Sequence, residues 1–435
     1  MKHILKEKIR NREAVICVIG IGYVGLPIAM ELAKNGFRVV GIDRNAARVE
    51  QFNKGENYIV NEEDREFKKL VYLGKLSATE DFSHIQSADV IVICVPTSLT
   101  KNLMPDLQHV ESAVRETAKH MKRGQLICIE STIYPGTTEE VALPILERIN
   151  FKVEEDFYLC HSPERIDPGN QQFTTEQINK IVGGIGPDSL EVGNFFYQQI
   201  IANIVSVSSV RVAEMAKIYE NTFRAVNIAL ANEFTLLCDK MGIRVWDVLD
   251  AAFTKPFGIM PFYPGPGVGG HCIPVDPHYL EWKAREYNFI TKLIGIAGEI
   301  NRSMPHFVRN IVHRTLNDLG IAPSKARVLI IGMAYKKDVN DHRESPSVDL
   351  AELLLKDDVQ LIYHDPYIER IEIATHSLVS VPLTERNVED ADVVLIATDH
   401  STIDYDWLVQ HARKIIDTRN ATRDVAEKNG KVVLI

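Results

Sequence analysis

The chain has 435 residues, 45% of them hydrophobic and 25% charged. This is an ordinary globular composition, and it excludes disorder, collagen-like repeats and small disulfide scaffolds. At roughly 150 residues per domain the length suits about three domains, and 49 basic against 59 acidic residues leave a net charge of −10, so bulk charge gives no sign of a nucleic-acid partner. Met1 to Arg12 is polar and lacks the apolar core of a secretory signal. No apolar run approaches the roughly 18 residues of a membrane span. A cytoplasmic chain with no membrane partner is the expectation.

Residues 14–20 (AVICVIG) read as a buried strand, 23–35 as a helix ending near Gly36, and 37–43 (FRVVGID) as a second strand. Further strands are expected at 88–95 (ADVIVICV) and 125–130 (QLICIE). Near-continuous Val/Ile runs between helical segments mean a parallel sheet covered on both faces. Residues 209–240 contain no Gly or Pro, which predicts a helix of up to about 30 residues, or two. Its apolar residues, among them Ala225, Ile228, Ala229 and Leu230, occupy more than one face, as in a helix buried between domains or in a dimer. A loop rich in Pro and Gly follows, from Pro256 to Pro277; loops of that length are commonly functional. Short apolar strands return at 326–332, 359–365, 391–398 and 414–417. ADVIVICVPT is echoed by ADVVLIATDH, and both second strands end in Asp, Asp43 and Asp365. The fold class is therefore α/β, with two doubly wound Rossmann-like domains joined by a long central helix or helical domain. The second has Gly332-Met333-Ala334-Tyr335-Lys336-Lys337 in place of a glycine fingerprint.

Five of the six cysteines, Cys17, Cys94, Cys128, Cys160 and Cys238, lie in apolar runs and read as small buried hydrophobes. Cys272 lies instead in Gly269-Gly270-His271-Cys272-Ile273-Pro274-Val275-Asp276-Pro277, where glycines allow close approach to a ligand. Asp276, four residues on, is a candidate base or water-orienting group. A metal site of His271, Cys272 and His278 is the rival reading, disfavoured because adjacent residues seldom ligate one ion together.

Gly20-Ile21-Gly22-Tyr23-Val24-Gly25 follows a strand, opens a helix and precedes Asp43, the context of a dinucleotide fingerprint. Gly20, Gly22, Tyr23, Val24 and Gly25 are read as the pyrophosphate cradle at a helix N-terminus. Asp43 suits a ribose 2′-hydroxyl and repels a 2′-phosphate, favouring NAD over NADP. Arg44 and Arg48 keep the alternative open. Lys217 and Asn221 are spaced i and i+4, so they share a helix face; a half-buried Lys facing a cleft stabilises a developing oxyanion. Two loops follow strands of the first domain: Glu130 to Thr138 and His161 to Gly169. In them Thr132 and Glu164 are the functional candidates, while Thr137 and Thr138 are read as helix caps. Lys336 and Arg343 suit a diphosphate.

GIGYVGLPIA, ESTIYPGTT, SPERIDPGN, AKIYENTFRAVNIALANE, GGHCIPVDP and GMAYKKDVNDHRESPS occur in that order. Together they resemble the UDP-glucose/GDP-mannose dehydrogenase family over about residues 14 to 420. The resemblance implies an NAD domain (1–205), a central helical dimerisation domain with the Cys loop (206–305) and a C-terminal UDP-sugar domain (306–435). It also implies a homodimer or higher homo-oligomer. Within the family, SPERIDPGN and GGHCIPVDPHYLEWKAREY are similar to bacterial UDP-N-acetylglucosamine 6-dehydrogenases, which make the uronate for O-antigen and capsule. Relatives act on the N-acetylmannosamine, N-acetylgalactosamine or glucose analogues.

The implied reaction is a twofold oxidation at C6, with Cys272 as nucleophile through a thiohemiacetal and a thioester. Lys217 and Asn221 would hold the oxyanion, Asp276 would steer a proton or water, and Thr132 and Glu164 would hold the water. The resemblance further implies Arg48, Pro96, Thr97, Thr132 and Arg343 at the cofactor. It puts Glu164, Arg165, Lys217, Asn221, Tyr263, Gly269 and Lys336 around the sugar nucleotide, with no metal. One departure is visible: many relatives carry an Arg shortly before the Cys loop, and Thr254 to Met260 has none, only Lys255. A two-electron hydroxy-acid dehydrogenase without a thiol and a non-catalytic NAD sensor are the other readings of the same fold.

Overall fold

A computed structural model of the chain describes residues 1–59, 64–100, 102–165 and 177–435; the part of SPERIDPGN from 166 onward lies outside them. Two compact units are present. One comprises Met1–Glu220 with His278–Phe289, the other Asn221–Pro277 with Ile290–Ile435.

The first unit is built on β1 (Val15–Ile19), β2 (Arg38–Ile42), β3 (Leu76–Thr79), β4 (Val90–Ile93), β5 (Leu126–Ile129), β6 (Tyr158–His161), β7 (Lys180–Gly184) and β8 (Ile204–Val207). They form one sheet in the order β8-β7-β6-β5-β4-β1-β2-β3. Every pairing is parallel except β6 with β7. Strands β4, β5 and β6 are buried along their whole length, which is why they read as unbroken apolar runs rather than as alternation. The helix Gly25–Lys34 covers one face, with nine of its ten residues buried. The polar N-terminus forms a helix, Lys2–Arg10, that buries only Leu5 and Ile9. Two apolar residues at i and i+4 are a narrow stripe, but both enter the core of the unit, and Lys2 adds partly exposed ion pairs to Asp188 and Glu191.

The second unit holds β9 (Arg327–Ile331), β10 (Gln360–His364), β11 (Val393–Ile396), β12 (Ile415–Asp417) and β13 (Val432–Leu434). All five are parallel, in the order β10-β9-β11-β12-β13. The order reverses between β9 and β11. In open α/β sheets that switch point, beyond the carboxyl ends of the strands, is where ligands bind.

The sequence echo has a hydrogen-bonding basis. Asp89 accepts from the Val15 N–H at 3.1 Å, and Asp392 accepts from the Arg327 N–H at 2.9 Å. In each unit the Asp after the Ala ties the start of the central strand to its neighbour. The residues 209–240 form one helix of 32 residues, Val210–Met241; its residues to Glu220 belong to the first unit and the rest to the second. Among the described residues no helix is long and apolar enough to cross a membrane.

Candidate active site

The glycine loop after β1 is sterically a cradle. Gly20 has φ +87°, and a Cβ there would meet the Cys94 carbonyl oxygen at 2.6 Å. A Cβ on Gly25 would meet the Gly20 carbonyl oxygen at 1.8 Å, whereas one on Gly22 meets nothing within 4 Å. The outer glycines let the helix start against the sheet, and the middle one faces open space. Leu26 and Ile28 donate their N–H groups to the Gly22 and Val24 carbonyls of that turn, at 3.0 and 3.4 Å, and the partial positive charge of the helix N-terminus suits an anion. Tyr23 and Val24 are half-buried in this turn. Asp43 follows β2 and accepts from the Ile21 N–H at 3.2 Å and from Arg48 at 3.0 Å. Arg44 is drawn away to Ser112 at 2.7 Å. Both arginines therefore have partners, and the carboxylate is in place for a ribose diol. Pro96 and Thr97 follow β4, the first exposed and the second buried. These residues fit the adenosine diphosphate half of NAD.

The loop after β5 carries Thr132, half-buried, and is fastened to the long helix by Glu214. The Glu214 carboxylate accepts from the N–H groups of Gly136 and Thr138 at 2.6 and 2.8 Å and from the Thr138 hydroxyl at 2.6 Å. Thr137 donates to the Tyr134 carbonyl at 2.7 Å, and no side chain caps the helical turn that follows. The expectation that Thr137 and Thr138 are caps is corrected: Thr138 serves Glu214, and Thr137 closes its own turn. Burial pushes the Glu214 carboxyl up to about 7, against those donors. One helical turn on, Lys217 is only 7% exposed, and among the described residues no group pairs with its ammonium. A buried cation without a partner is costly, and an anion bound beside it would offset that cost.

In the second unit Asn221, fully buried, donates its side-chain amide to Asp276 and accepts from Arg224. Asp276 is buried at the first position of the helix Asp276–Ala284, where a negative charge is favoured. The N–H groups of Val275 and Asp276 both donate to the Cys272 carbonyl, at 3.1 and 2.9 Å. That turn pins the Cys272 backbone while its side chain stays exposed, unlike the other five cysteines, all buried. Gly270, with φ +85°, donates its N–H to the Arg343 carbonyl at 3.3 Å. A Cβ on Gly269 would strike the Glu344 carbonyl and Tyr335 at 2.7 Å. The Cys loop is thus seated on the segment after β9 that carries Lys336 and Arg343. The Arg343 guanidinium is engaged with Asp341, at 2.6 to 3.1 Å. Tyr263 stacks on Trp246, with ring centres 5.9 Å apart. Lys255 lies over the Phe257 ring at 4.9 Å.

Beyond β6 stand Glu164 and Arg165. Arg165 pairs with Glu220 at 2.6 Å, so this candidate substrate contact is tied to the long helix. Glu164 reaches Lys180 at 3.1 Å, and Lys180 also holds Glu130 at 2.8 Å. Sequence reasoning missed Lys180 and Glu214. Glu214 had a signal, since it precedes Lys217 by three residues; Lys180, opening an apolar strand, had none. His161, at the end of β6, is buried, and neither ring nitrogen finds a hydrogen-bond partner among the described residues. Burial, aided by the Lys180 charge, pushes it down to about 3. A histidine with a depressed folded value stabilises above its unfolded value near 6.5 and loses that contribution as pH falls towards 3. His161→Leu is expected to cost little at pH 7.5. It should shrink the loss of unfolding free energy between pH 7.5 and 4.5 by about 3 kcal/mol, read from denaturant titrations at the two pH values.

Three segments match the UDP-glucose/GDP-mannose dehydrogenase family: residues 14–201 its NAD binding domain, 211–303 its central domain and 329–424 its UDP binding domain. The chain is 37% identical over 415 residues to the UDP-N-acetyl-D-mannosamine dehydrogenase of Pyrococcus horikoshii, covering 94% of this chain and 96% of that one. It is 35% identical over 392 residues to the UDP-N-acetyl-D-glucosamine 6-dehydrogenase of Pseudomonas aeruginosa, covering 90% and 91%. The solved P. horikoshii structure matches with TM-score 0.87 at 35% identity over 97% of this chain and 99% of that one. The UDP-N-acetyl-mannosamine dehydrogenase of Staphylococcus aureus matches with TM-score 0.82 at 33% identity over 97% of each. With a dinucleotide cradle, a nucleotide-type second sheet and matches along nearly its whole length, the chain belongs to the UDP-glucose/GDP-mannose dehydrogenase family of NAD-dependent oxidoreductases.

Proposed function

We propose that the chain oxidises the C6 hydroxyl of a UDP-2-acetamido-2-deoxyhexose twice, to the carboxylate, through a thioester on Cys272. The observation that carries this is the pinned turn presenting the one exposed cysteine beside Asp276 and Asn221. NAD, when bound, would supply the hydride acceptor at C6 for the alcohol and then for the thiohemiacetal, and the hydroxyl proton of the alcohol leaves through water steered by Asp276. Cys272 sulfur bonds to the C6 aldehyde carbon, and the carbonyl oxygen takes up negative charge. Lys217 and Asn221 stabilise that charge. Water then attacks the thioester carbon, the C–S bond breaks, and the thiolate is released on Cys272. Thr132 and Glu164 hold the water, and its proton passes to Glu164. Asp276 fixes Asn221 and steers proton movement at the thiol. Gly20, Gly22, Tyr23, Val24, Gly25, Asp43, Arg48, Pro96, Thr97, Thr132 and Arg343 serve the cofactor. Arg165, Tyr263, Gly269 and Lys336 serve the sugar nucleotide.

Two epimers carry forward. The motifs around Glu164 and Cys272, with the P. aeruginosa relative, support the gluco sugar. The names of the P. horikoshii and S. aureus relatives support the manno sugar. Purified protein offered each UDP-sugar to exhaustion decides. About two NADH per sugar from one epimer identifies the substrate, about one overturns the thioester, and none from either or from the galacto and glucose analogues favours the sensor. The product suits surface polysaccharide assembly in the cytoplasm.

A homodimer or higher homo-oligomer is proposed because Met215, Tyr219, Phe223, Leu230, Phe234 and Leu237 are exposed along one long helix at spacings of three, four and seven, a seam built for a second helix.

Asp43→Ala is expected to raise KM for NAD by roughly 10- to 100-fold, the value of about 1.5–3 kcal/mol for hydrogen bonds to a charged group, with kcat nearly unchanged. Release of Arg48 should narrow the preference over NADP. Initial rates with the two cofactors check both.

A further inference from the structure

Inside the first unit lies a chain of ionisable groups of which the proposed chemistry uses only the last, Glu164. Tyr197, fully buried on the helix Pro187–Tyr197, donates its hydroxyl to Glu130 Oε1 at 2.6 Å. Glu130 Oε2 accepts from Lys180 Nζ at 2.8 Å, and the same ammonium reaches Glu164 Oε2 at 3.1 Å. The ammonium also lies over the Tyr197 ring at 5.2 Å. The side chains of Glu130 and Lys180 are 0% and 6% exposed, and that of Glu164 is 11% exposed. Exposure therefore rises towards Glu164.

A buried ion network of this kind contributes little to stability over a well-packed apolar core, so its retention calls for another reason. Burial works against the Lys180 ammonium, but its two carboxylates outweigh that and hold its proton more tightly than usual. Glu130 is pushed up by burial, with Lys180 opposing. The charged form of the central ammonium is thus favoured by its two carboxylates. Glu164 is held at both oxygens, Oε2 by Lys180 and Oε1 by the Arg165 N–H at 2.7 Å. Glu130 stands two residues before Thr132 on the loop after β5, so one ammonium ties together the two segments that carry the water-holding pair.

We propose that Lys180 is a positioning residue for thioester hydrolysis, holding Glu164 and the Thr132 loop in register from behind. This rests on the roles given above to Glu164 and Cys272. It predicts a defect confined to the last step: water fails to attack, the C–S bond persists, and enzyme accumulates as the Cys272 acyl adduct.

The test compares Lys180→Met, Lys180→Met with Glu130→Gln, and Glu164→Gln, each incubated with NAD and the UDP-sugar. Intact-mass spectrometry reads the adduct, and a rapid-mixing trace reads the first NADH burst. The double variant removes the carboxylate that the single variant leaves buried without its cation, so folding is kept, as a thermal melt reports. Expected are an adduct on most of the enzyme in all three, a burst within a few-fold of the parent, steady-state kcat down roughly 100-fold and KM little changed. An adduct with Glu164→Gln but none with either Lys180 variant overturns the positioning role. Absence of an adduct with Glu164→Gln as well overturns the underlying role of Glu164 instead. A double variant that melts like the parent and hydrolyses at the parental rate means that Lys180 only neutralises Glu130, and the inference falls.

Discussion

Cys272→Ala is expected to end carboxylate formation, lowering turnover to the acid by roughly 1,000-fold or more, on the scale of losing a covalent nucleophile. Alanine is the informative substitution, because a serine oxygen would still add to the aldehyde. The expectation follows from geometry on both sides of the residue. The Cys272 carbonyl is held by two N–H groups of the next turn, so the substitution leaves the backbone as it was, and the exposed thiol contributes no core packing. The other cysteines offer no substitute. Burial pushes the Cys17 thiol up to about 12 and the Cys94 and Cys128 thiols well above the ordinary range, so none is a ready nucleophile. Product analysis after exhaustion distinguishes the readings. Loss of the acid with the melting temperature unchanged supports the thioester. Two NADH per sugar from Cys272→Ala would place the second oxidation outside cysteine chemistry. A two-electron hydroxy-acid dehydrogenase would tolerate the change.

Legibility in the sequence followed the range of the interaction. The glycine fingerprint, the buried parallel strands and the uninterrupted 32-residue helix are set by local rules of turn geometry, burial and the absence of breakers, and all of them were visible. So was the isolation of Cys272, since five apolar contexts and one glycine-proline context differ on inspection. Asp43 and Asp365 show where such reading stops. Both end a second strand and both accept from the N–H after a glycine. Asp43 keeps some exposure and faces Arg48, whereas Asp365 is sealed against His400 at 3.1 Å. Only His400, 35 residues away, separates the sealed Asp365 from the more open Asp43 that was read as a cofactor contact. The same holds for Thr138, whose hydroxyl went to a carboxylate 76 residues away rather than to its own helix. Lys180 is the extreme case: its partners stand 50 and 16 residues before it, and nothing in KIVGG announces them. The N-terminal helix was missed for a different reason, its two-residue apolar stripe being too short a signal among lysines.

Lys217→Met should separate stability from activity. The ammonium is buried on the helix face shared with Glu214 and Asn221 and has no pairing group among the described residues, so removing it deletes a desolvated charge without orphaning a partner. The melting temperature is expected to hold or rise. Turnover is expected to fall by about 100- to 1,000-fold, the cost of about 2.7–4 kcal/mol for losing one preorganised group at a developing oxyanion. KM for the sugar nucleotide should move only a few-fold, because the charge that Lys217 meets arises during the reaction. Lys217→Arg restores the charge but not its compact shape, and a planar fork on a longer stem does not place it at the same point; recovery is expected to be small. Two results would count against the assignment. A variant that loses stability and activity together would make Lys217 a structural residue whose partner lies elsewhere. A variant whose entire defect lies in KM would make it a contact of the ground-state sugar nucleotide, with the oxyanion left to Asn221 alone. Among the described residues Lys217 is a buried cation with no pairing group, and on the proposed mechanism its counter-charge would be supplied by the substrate as the reaction proceeds.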